Sequence, residues 1–470
     1  MKESDQARFK SLVTWACNHG AELHPSLEVY HDNVSKFSLR VKNSAAGPLG
    51  PNFTAVTCPV PITLSYLNAL IDDAIEISAS LGDRPTAFSP RFMSSIPPHA
   101  IGRFFLIKEY LKGKDSRWWP YIATLPQPEN LNSWVLPAFW PEDDTDFLEG
   151  TNAYAAVQEI QENVKREFKQ ARRVLKDEGF PNRQDYTQLL YKWAFCIFTS
   201  RSFRPSLVLS QSVREYASTL LPAGCGLDDF SILQPLFDIA NHSMTAKFEW
   251  DIASDQNCCR LICGDAYQPG DQVYNNYGLK SNSELLLAYG VILPEVGELH
   301  NDYLHIRKRQ RQDDGALGDE PKDFLISLRP MSHPSSLVGR ARSLGSTVCP
   351  ISSLSAFAHF EPALVEDLAF ALASPDEKQI MESRQSSGGE RLLEELAPLV
   401  QRIKEALAGK LQYDYQRLKE VSMGEGESQL QPANRNQELA VDYRRQCERV
   451  LLAAMRGLEY GTQSDLTEMS

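Results

Sequence analysis

Two short polar segments contain the residues best suited to chemistry. The first, residues 237–243, places an Asp, an Asn and a His close together at the end of the apolar run 233–240. The second places Tyr277 and Gly278 after the alternating run 272–275. Hydroxyl, amide and imidazole groups donate and accept hydrogen bonds, so the two segments together could hold and orient a polar ligand. Taken singly, each is also typical of an ordinary feature: a polar corner at a strand end, or a turn.

A helix is predicted immediately after the second segment. Ser281 can cap its start, and Glu284 three residues later completes an S-x-x-E capping box. An apolar run follows and Gly290 provides a C-terminal stop. The polar loop of Tyr277 is therefore expected to lie between a short strand and a capped helix.

In this order, the segments resemble the signature of SET-domain methyltransferases. That signature has an Asn-His segment, then a Tyr some tens of residues later, and then K-S-N-x-E-L-L-x-x-Y-G, here residues 280–290. The last run resembles the subgroup typified by the Rubisco large-subunit lysine methyltransferase. This subgroup includes fungal ribosomal-protein lysine methyltransferases and the animal actin-histidine methyltransferase. The resemblance is closest over residues 190–295 and weakest after residue 300.

The resemblance implies an α+β fold with three parts. Residues 1–25 form an N-terminal helix. Residues 26–295 form a SET domain of small β-sheets with a knotted-looking core, interrupted by a helical insert at about residues 80–190. Residues 300–470 form an all-α domain that binds the protein substrate.

The resemblance also implies an enzyme, an S-adenosyl-L-methionine-dependent protein-lysine N-methyltransferase, whose expected substrate is a ribosomal or translation protein. The sulfonium of the donor is already activated, so the reaction needs no metal and none is expected. The acceptor amine must be neutral. With a lysine pKa of about 10.4, removing its proton at pH 7 costs roughly 4.6 kcal/mol. Desolvation in an aromatic channel and the nearby sulfonium charge both lower that pKa.

Individual roles follow from the same resemblance. Tyr277 is the predicted catalytic residue, whose hydroxyl would orient the transferring methyl group and stabilise developing charge. The predicted donor-binding residues are Ser35, Lys36, Phe37, Arg201, Asn241, His242, Tyr289, Gly290 and Val291. The predicted contacts to the protein substrate are Phe203, Asp238 and Tyr289.

The first donor-binding strand departs from the family pattern, and Arg201 has a second interpretation. The family often has G-x-G in its first donor-binding strand, where this chain has Ser35, Lys36 and Phe37. Because glycine allows a ligand close to the backbone, this departure predicts reduced space for the donor. Arg201 ends the apolar helix predicted over residues 189–203, and a buried Arg needs an acceptor there. That acceptor is either a nearby Asp or a group in the donor pocket.

Composition limits the partners and the compartment. With 470 residues the chain is long enough for two or three domains. A net charge of −13 argues against a nucleic-acid partner and suits a basic protein substrate, although it also serves solubility alone. The sequence contains no run of about 18 apolar residues, so no membrane-spanning helix is expected. The polar N-terminus and nine scattered cysteines predict a cytoplasmic or nuclear protein with reduced thiols.

Periodicity predicts the remaining elements. Strands are expected within residues 26–62, and residues 204–230, 307–315 and 424–434 are expected to form loops. Helices are expected at residues 7–20, 62–77, 104–111, 155–178, 189–203, 364–372, 391–407 and 439–458.

Two rival functions remain open. The first is a histidine methyltransferase on the same scaffold, because the subgroup contains one. The second is a non-catalytic SET-fold module, in which the altered first strand no longer binds the donor and an acidic groove holds a basic protein.

Overall fold

The computed structural model describes most of the chain and divides it into two compact units. The described residues are 3–32, 36–76, 85–252, 257–295, 299–308, 322–344, 350–383, 393–422 and 431–468. The first unit comprises Met1–Val135 and Gln161–Gly278, and the second comprises Leu136–Ile160 and Leu279–Ser470. The domain boundaries expected from the sequence stay predictions.

Short strands build the sheets of the first unit. They are β1 (Glu22–Leu23), β2 (Leu27–Asp32), β3 (Lys36–Val41), β4 (Phe53–Pro59), β5 (Leu64–Ser65), β6 (Ser202–Phe203), β7 (Ile232–Leu233), β8 (Asn241–His242), β9 (Phe248–Asp251), β10 (Cys258–Cys263) and β11 (Gln272–Asn275). They pair in the orders β1-β4-β10-β9, β2-β3-β11-β8 and β5-β7-β6. The strands predicted within residues 26–62 are confirmed.

The sheet β2-β3-β11-β8 joins segments that are distant in the sequence. β11 pairs antiparallel with β3, with Gln272 opposite Arg40. On its other side β11 pairs parallel with β8, with Tyr274 opposite Asn241. A short parallel pair needs a long connection between its strands, and here residues 243–271 supply it. This sheet therefore places the two polar segments of the sequence side by side.

Helices surround an aromatic core in the first unit. Their bounds are Glu3–Asn18, Tyr66–Ile71, Pro90–Ser95, Pro98–Lys112, Trp119–Ile122, Gln188–Arg201, Pro205–Val208 and Gln211–Leu220, and the helix Asn152–Asp177 contains the division between the units. The ring of Phe104 lies 5.4 Å from Phe92 and 5.1 Å from Tyr191. Such aromatic pairs contribute about 0.5–1.5 kcal/mol beyond the apolar area they bury.

Two predictions about this unit are wrong in extent. The helix expected over residues 62–77 is only Tyr66–Ile71, because Asp72 adopts a left-handed φ of 48° that ends it. The loop expected over residues 204–230 contains two helices, Pro205–Val208 and Gln211–Leu220. Ser210 caps the second by accepting a hydrogen bond from the backbone N–H of Val213.

The second unit is mostly helical. Its helices are Glu142–Thr145, Asn282–Tyr289, Leu337–Ser343, Pro362–Leu372, Pro375–Ser383, Ala397–Ser422 and Arg435–Glu468. It also contains the antiparallel hairpin of β12 (Tyr303–Lys308) and β13 (Lys322–Ser327) within the region expected to be all-α. The loops predicted over 307–315 and 424–434 lie largely outside the described residues, although Arg307 and Lys308 belong to β12.

A buried carboxylate joins the segment 136–160 to the last helix within the second unit. Asp144 accepts hydrogen bonds from the side-chain amides of Asn434, Asn436 and Gln437 at 2.8–2.9 Å. A buried charge is tolerated when it is fully hydrogen-bonded, so these amides satisfy Asp144 without a cation.

Candidate active site

Tyr277 is held at both ends by the Asn-His segment. Its phenol donates a hydrogen bond of 2.9 Å to the backbone carbonyl of Ala240, and its backbone N–H donates to His242 Nδ1 at 3.0 Å. The two rings stack with centroids 5.0 Å apart and an angle of 21° between their planes. The backbone N–H of Ser243 donates to the carbonyl of Asn275 at 2.9 Å, which extends the β8–β11 pairing. The structure therefore brings the predicted catalytic residue to the predicted donor-binding pair.

Side-chain amides fix the loop that carries Tyr277. The buried Asn275 accepts hydrogen bonds at Oδ1 from Trp250 Nε1 and from the backbone N–H of Asn276. Asn276 in turn accepts from the backbone N–H of Gly278 at 2.9 Å and donates to the carbonyl of Met244 at 3.0 Å. Gly278 has a φ of +98°, which only glycine adopts without strain. This backbone conformation therefore favours glycine directly after Tyr277.

Gln272 links the predicted donor-binding Asn241 to the first strands. Its Oε1 accepts hydrogen bonds from Asn241 Nδ2 at 2.7 Å and from Ser38 Oγ at 2.9 Å. Ser38, on β3, is completely buried. Nothing in the sequence indicated this role for Gln272, because an alternating pattern does not show which polar side chain will bond to a neighbouring strand.

An ion pair between a half-buried arginine and a buried carboxylate lies next to this corner. Arg201 Nη1 lies 3.3 Å from both the carbonyl oxygen and the Oδ2 of Asp238, and the hydroxyl of Tyr121 donates to the same Oδ2 at 2.9 Å. Burial raises the pKa of Asp238, an effect that Arg201 and Tyr121 only partly oppose. Burial alone would lower the pKa of Arg201, but Asp238 reverses this and the pKa is raised. Arg201 thus has a nearby Asp as its acceptor, one of the two alternatives predicted for it.

Tyr121 is also part of this site, although the sequence analysis did not predict a role for it. It is fully buried, and its partner Asp238 lies 117 residues away in the sequence. A Trp-Trp-Pro-Tyr run gives no signal that its last hydroxyl reaches a carboxylate. Only the fold makes this contact.

The predicted first donor-binding strand is described from Lys36 onward, and Ser35 lies outside the described residues. Lys36 has a φ of +72°, the left-handed conformation that glycine prefers. Its ammonium donates to the carbonyl of Asn132 at 3.1 Å, and partial burial together with the Arg201 charge lowers its pKa. Phe37 packs instead against Phe9, with ring centroids 4.6 Å apart.

Phe203, a predicted contact to the protein substrate, lies in an aromatic group with Phe237 and Trp250. Its ring meets Phe237 edge-on at 5.4 Å and Trp250 edge-on at 5.6 Å. Because Trp250 also bonds to Asn275, Phe203 contacts a residue that holds the Tyr277 loop. Its contact with the protein substrate stays a prediction.

Tyr289, Gly290 and Val291 belong to the second unit, where they end the helix Asn282–Tyr289. The predicted capping box of Ser281 and Glu284 is confirmed, and Gly290 ends the helix with a φ of +66°. Burial and the charge of Glu284 raise the pKa of Tyr289 to about 12. The donor-binding and substrate-binding roles of these residues stay predictions.

Within the described ranges, no group of three or more His, Cys, Asp or Glu side chains is arranged to hold a metal ion. None of the eight cysteines in those ranges forms a disulfide. None of the helices described there is both long and apolar enough to cross a membrane.

Known proteins share sequence with a large part of this chain. The ribosomal lysine N-methyltransferase set10 of Schizosaccharomyces pombe is 30% identical over 290 residues, which are 61% of this chain and 46% of that protein. The protein-lysine N-methyltransferase EFM1 of Saccharomyces cerevisiae is 22% identical over 322 residues, 61% of this chain and 50% of that protein. The chain therefore spans about half the length of these curated relatives. No protein-family model matches it.

Solved structures share the fold over nearly the whole chain. The SET domain of LSMT bound to methyllysine and AdoHcy superposes with a TM-score of 0.61 at 17% identity, covering 99% of this chain and 93% of that one. Rubisco LSMT bound to AdoMet gives a TM-score of 0.60 at the same identity. The predicted α+β SET fold and the resemblance to this subgroup are confirmed.

Proposed function

We propose that this chain, which has the SET-domain fold of Rubisco LSMT, transfers methyl groups from S-adenosylmethionine to lysine side chains of a protein substrate. The observation that carries the proposal is the bond from the Tyr277 phenol to the carbonyl of Ala240, next to Asn241. This bond holds the hydroxyl oxygen of Tyr277 and the carbonyl oxygen of Ala240 close together, and both oxygens can stabilise a partly positive methyl group. The curated relatives named above support the choice of lysine.

The residues of the first unit fit a donor that carries both an anion and cations. Arg201 and Lys36 are close enough for the charge of one to lower the pKa of the other, so together they provide positive charge for a carboxylate. Asp238 Oδ1 is buried and has no hydrogen-bond partner within the described residues, which leaves one anionic oxygen for an ammonium or a sulfonium. S-adenosylmethionine carries all three groups.

In the proposed reaction, the methyl group passes from the sulfonium of the donor to the neutral amine of the acceptor in one displacement. The resulting methylammonium loses its proton to solvent. The chain's own residues position the two partners, and positioning alone supplies on the order of 7–11 kcal/mol of a barrier. Tyr277 acts through its hydroxyl and is not required to accept the lysine proton.

We further propose a basic substrate from the ribosome or the translation machinery. The name of the fungal relative supports this class, and the net charge of −13 favours a basic partner. The proposed location is the cytoplasm or the nucleus, and eight described cysteines that form no disulfide are consistent with it.

The test is a labelling experiment. The chain is incubated with S-adenosylmethionine labelled at the methyl group and with an extract from cells that lack the enzyme. The labelled protein is then identified and its peptides are analysed by mass spectrometry. Methyl-lysine in a basic ribosomal or translation protein supports the proposal. Label on histidine would instead establish the histidine activity, and no incorporation combined with no donor binding by calorimetry would favour a non-catalytic module.

A further inference from the structure

The second unit contains an apolar groove that the proposed reaction does not use. It has a volume of about 650 Å³. The described residues that line it include Leu279, Met331, Leu337, Leu354, Phe357 and Phe360. Phe357 and Phe360 are almost completely buried, whereas Leu279 is 40% exposed and the lining residue Leu344 is 82% exposed. A buried aromatic floor with exposed leucines at the edge is typical of a surface that receives an apolar side chain.

One charged residue lies at this groove. Of the described residues that line it, only Arg340 carries a charge, and its exposed side chain has no ion-pair partner within the part of the chain that the structure describes. Arg342, two residues later on the same helix, differs because it contacts Asp323 at 3.4 Å and Glu361 at 3.9 Å. Among the described residues, the guanidinium of Arg340 therefore lies beside the apolar groove without a carboxylate partner. Guanidinium recognises carboxylates through paired hydrogen bonds, so its partner is expected to be acidic.

We propose that this groove docks the protein substrate through an apolar side chain that has an Asp or Glu next to it. The apolar side chain fills the space above Phe357, and the carboxylate pairs with Arg340. This inference rests on the proposed function and adds a recognition element to it. It also refines the expected substrate, because a basic protein would need a local acidic residue at this point.

A binding experiment tests the groove without depending on methyl transfer. Short fluorescein-labelled peptides with a central Leu-Asp pair are titrated with the full chain and followed by anisotropy. Matched peptides carry Leu-Lys or Ser-Asp at the same place. The Leu-Asp peptide should bind at least about tenfold more tightly than either control, because it alone offers both an apolar group and a carboxylate.

Variants identify the contact. Arg340→Glu should reverse the preference, so that the Leu-Lys peptide binds more tightly than the Leu-Asp peptide. Arg445→Glu is the matched control, because Arg445 is an exposed arginine of the same unit that does not line the groove. It should leave both affinities within about twofold. Equal binding of all three peptides, or an unchanged preference in Arg340→Glu, would overturn the proposal.

Three further outcomes distinguish docking of the substrate at this groove from the alternatives. If sedimentation shows a dimer of the chain that Arg340→Glu abolishes, the groove holds a second copy and the substrate proposal is wrong. Intact peptide discrimination in a chain that transfers no methyl group would overturn the proposed function alone. Intact methyl transfer without peptide discrimination would overturn the docking proposal alone.

Discussion

The phenol of Tyr277 lies 2.9 Å from the carbonyl oxygen of Ala240, although 37 residues separate them in the sequence. The bond exists because β11 runs parallel to β8, so the loop after β11 turns back over the residues around β8. Backbone and side chain of Tyr277 are thereby both tied to one short segment. A hydroxyl held in this way is oriented before any ligand arrives, which is the condition for electrostatic catalysis.

Asn241→Ala should weaken donor binding. Asn241 lies at the corner formed by β8 and β11, and its amide donates to Gln272. Ser38→Ala is the matched control, because it removes the other donor to the same Gln272 oxygen and leaves Asn241 in place. Calorimetry should show donor affinity at least about tenfold lower in Asn241→Ala than in Ser38→Ala, as for loss of a direct hydrogen bond to a charged ligand. Equal losses would mean that Asn241 acts only through Gln272.

Loss of Arg201 alone should destabilise the fold more than replacement of both Arg201 and Asp238 by uncharged residues. Arg201→Met leaves the buried carboxylate of Asp238 without its cation, so it should lower the free energy of unfolding by about 3 kcal/mol. Arg201→Met combined with Asp238→Asn should recover part of this loss, because no charge then remains buried. Urea unfolding of the single and double variants measures this coupling. Additive losses would show that the two groups stabilise the fold independently.

Lys36 should tolerate glycine better than alanine. Its φ of +72° disfavours any residue with a Cβ atom, at a cost of order 1 kcal/mol. Lys36→Gly and Lys36→Ala both lose the ammonium, so the difference between them isolates the backbone. Lys36→Gly should be the more stable variant by about 0.5–1 kcal/mol in urea unfolding, although glycine is normally the poorer residue in a strand. The reverse order would contradict the left-handed conformation.

The stability of the first unit should fall in acid because of Glu167. Burial opposes ionisation, but hydrogen bonds from His99 and Tyr191 and the charge of Arg103 lower the pKa of Glu167 to about 2 from 4.5. The unfolded chain therefore binds the proton more readily between these values. The stabilisation is complete above about pH 4.5 and is lost as the pH falls toward 2, by about 3 kcal/mol at most.

Glu167→Gln provides the control for that pH dependence. Its free energy of unfolding should be lower than that of the parent chain at pH 6, and the gap should close as the pH approaches 2. Urea titrations across this range measure the gap directly. A gap that does not change with pH would mean that ionisation of Glu167 contributes nothing.

Local signals were sufficient for several elements. The S-x-x-E box after Lys280 and the stop at Gly290 predicted the helix Asn282–Tyr289, and amphipathic spacing predicted the helix Asn152–Asp177. The expected neighbourhood of the Asn-His segment and Tyr277 came from a family resemblance, because no periodicity predicts which distant strands will pair. The parallel bridge of Tyr274 to Asn241 is that pairing.

Other features depended on contacts that sequence patterns do not encode. The helix expected to reach residue 77 ends at Ile71, since Asp72 turns left-handed where an apolar period continues. The hydroxyl of Tyr121 reaches Asp238 only through the fold, and Gln272 is identified only by its two hydrogen bonds. For Tyr121 and Gln272, the role depends on a partner that is distant in the sequence, and the residue type alone does not indicate it.

The role of the Tyr277 hydroxyl is tested most directly by a single-turnover measurement of methyl transfer from labelled S-adenosylmethionine to the substrate, with the parent chain and Tyr277→Phe. The variant keeps the ring that stacks on His242 and loses only the hydroxyl. We expect its rate to fall by about 10²-fold or more, with donor affinity by calorimetry nearly unchanged. Tyr413→Phe, which removes an exposed phenol, should match the parent. A Tyr277→Phe variant that transfers methyl groups at the parental rate would contradict the catalytic role of the Tyr277 hydroxyl.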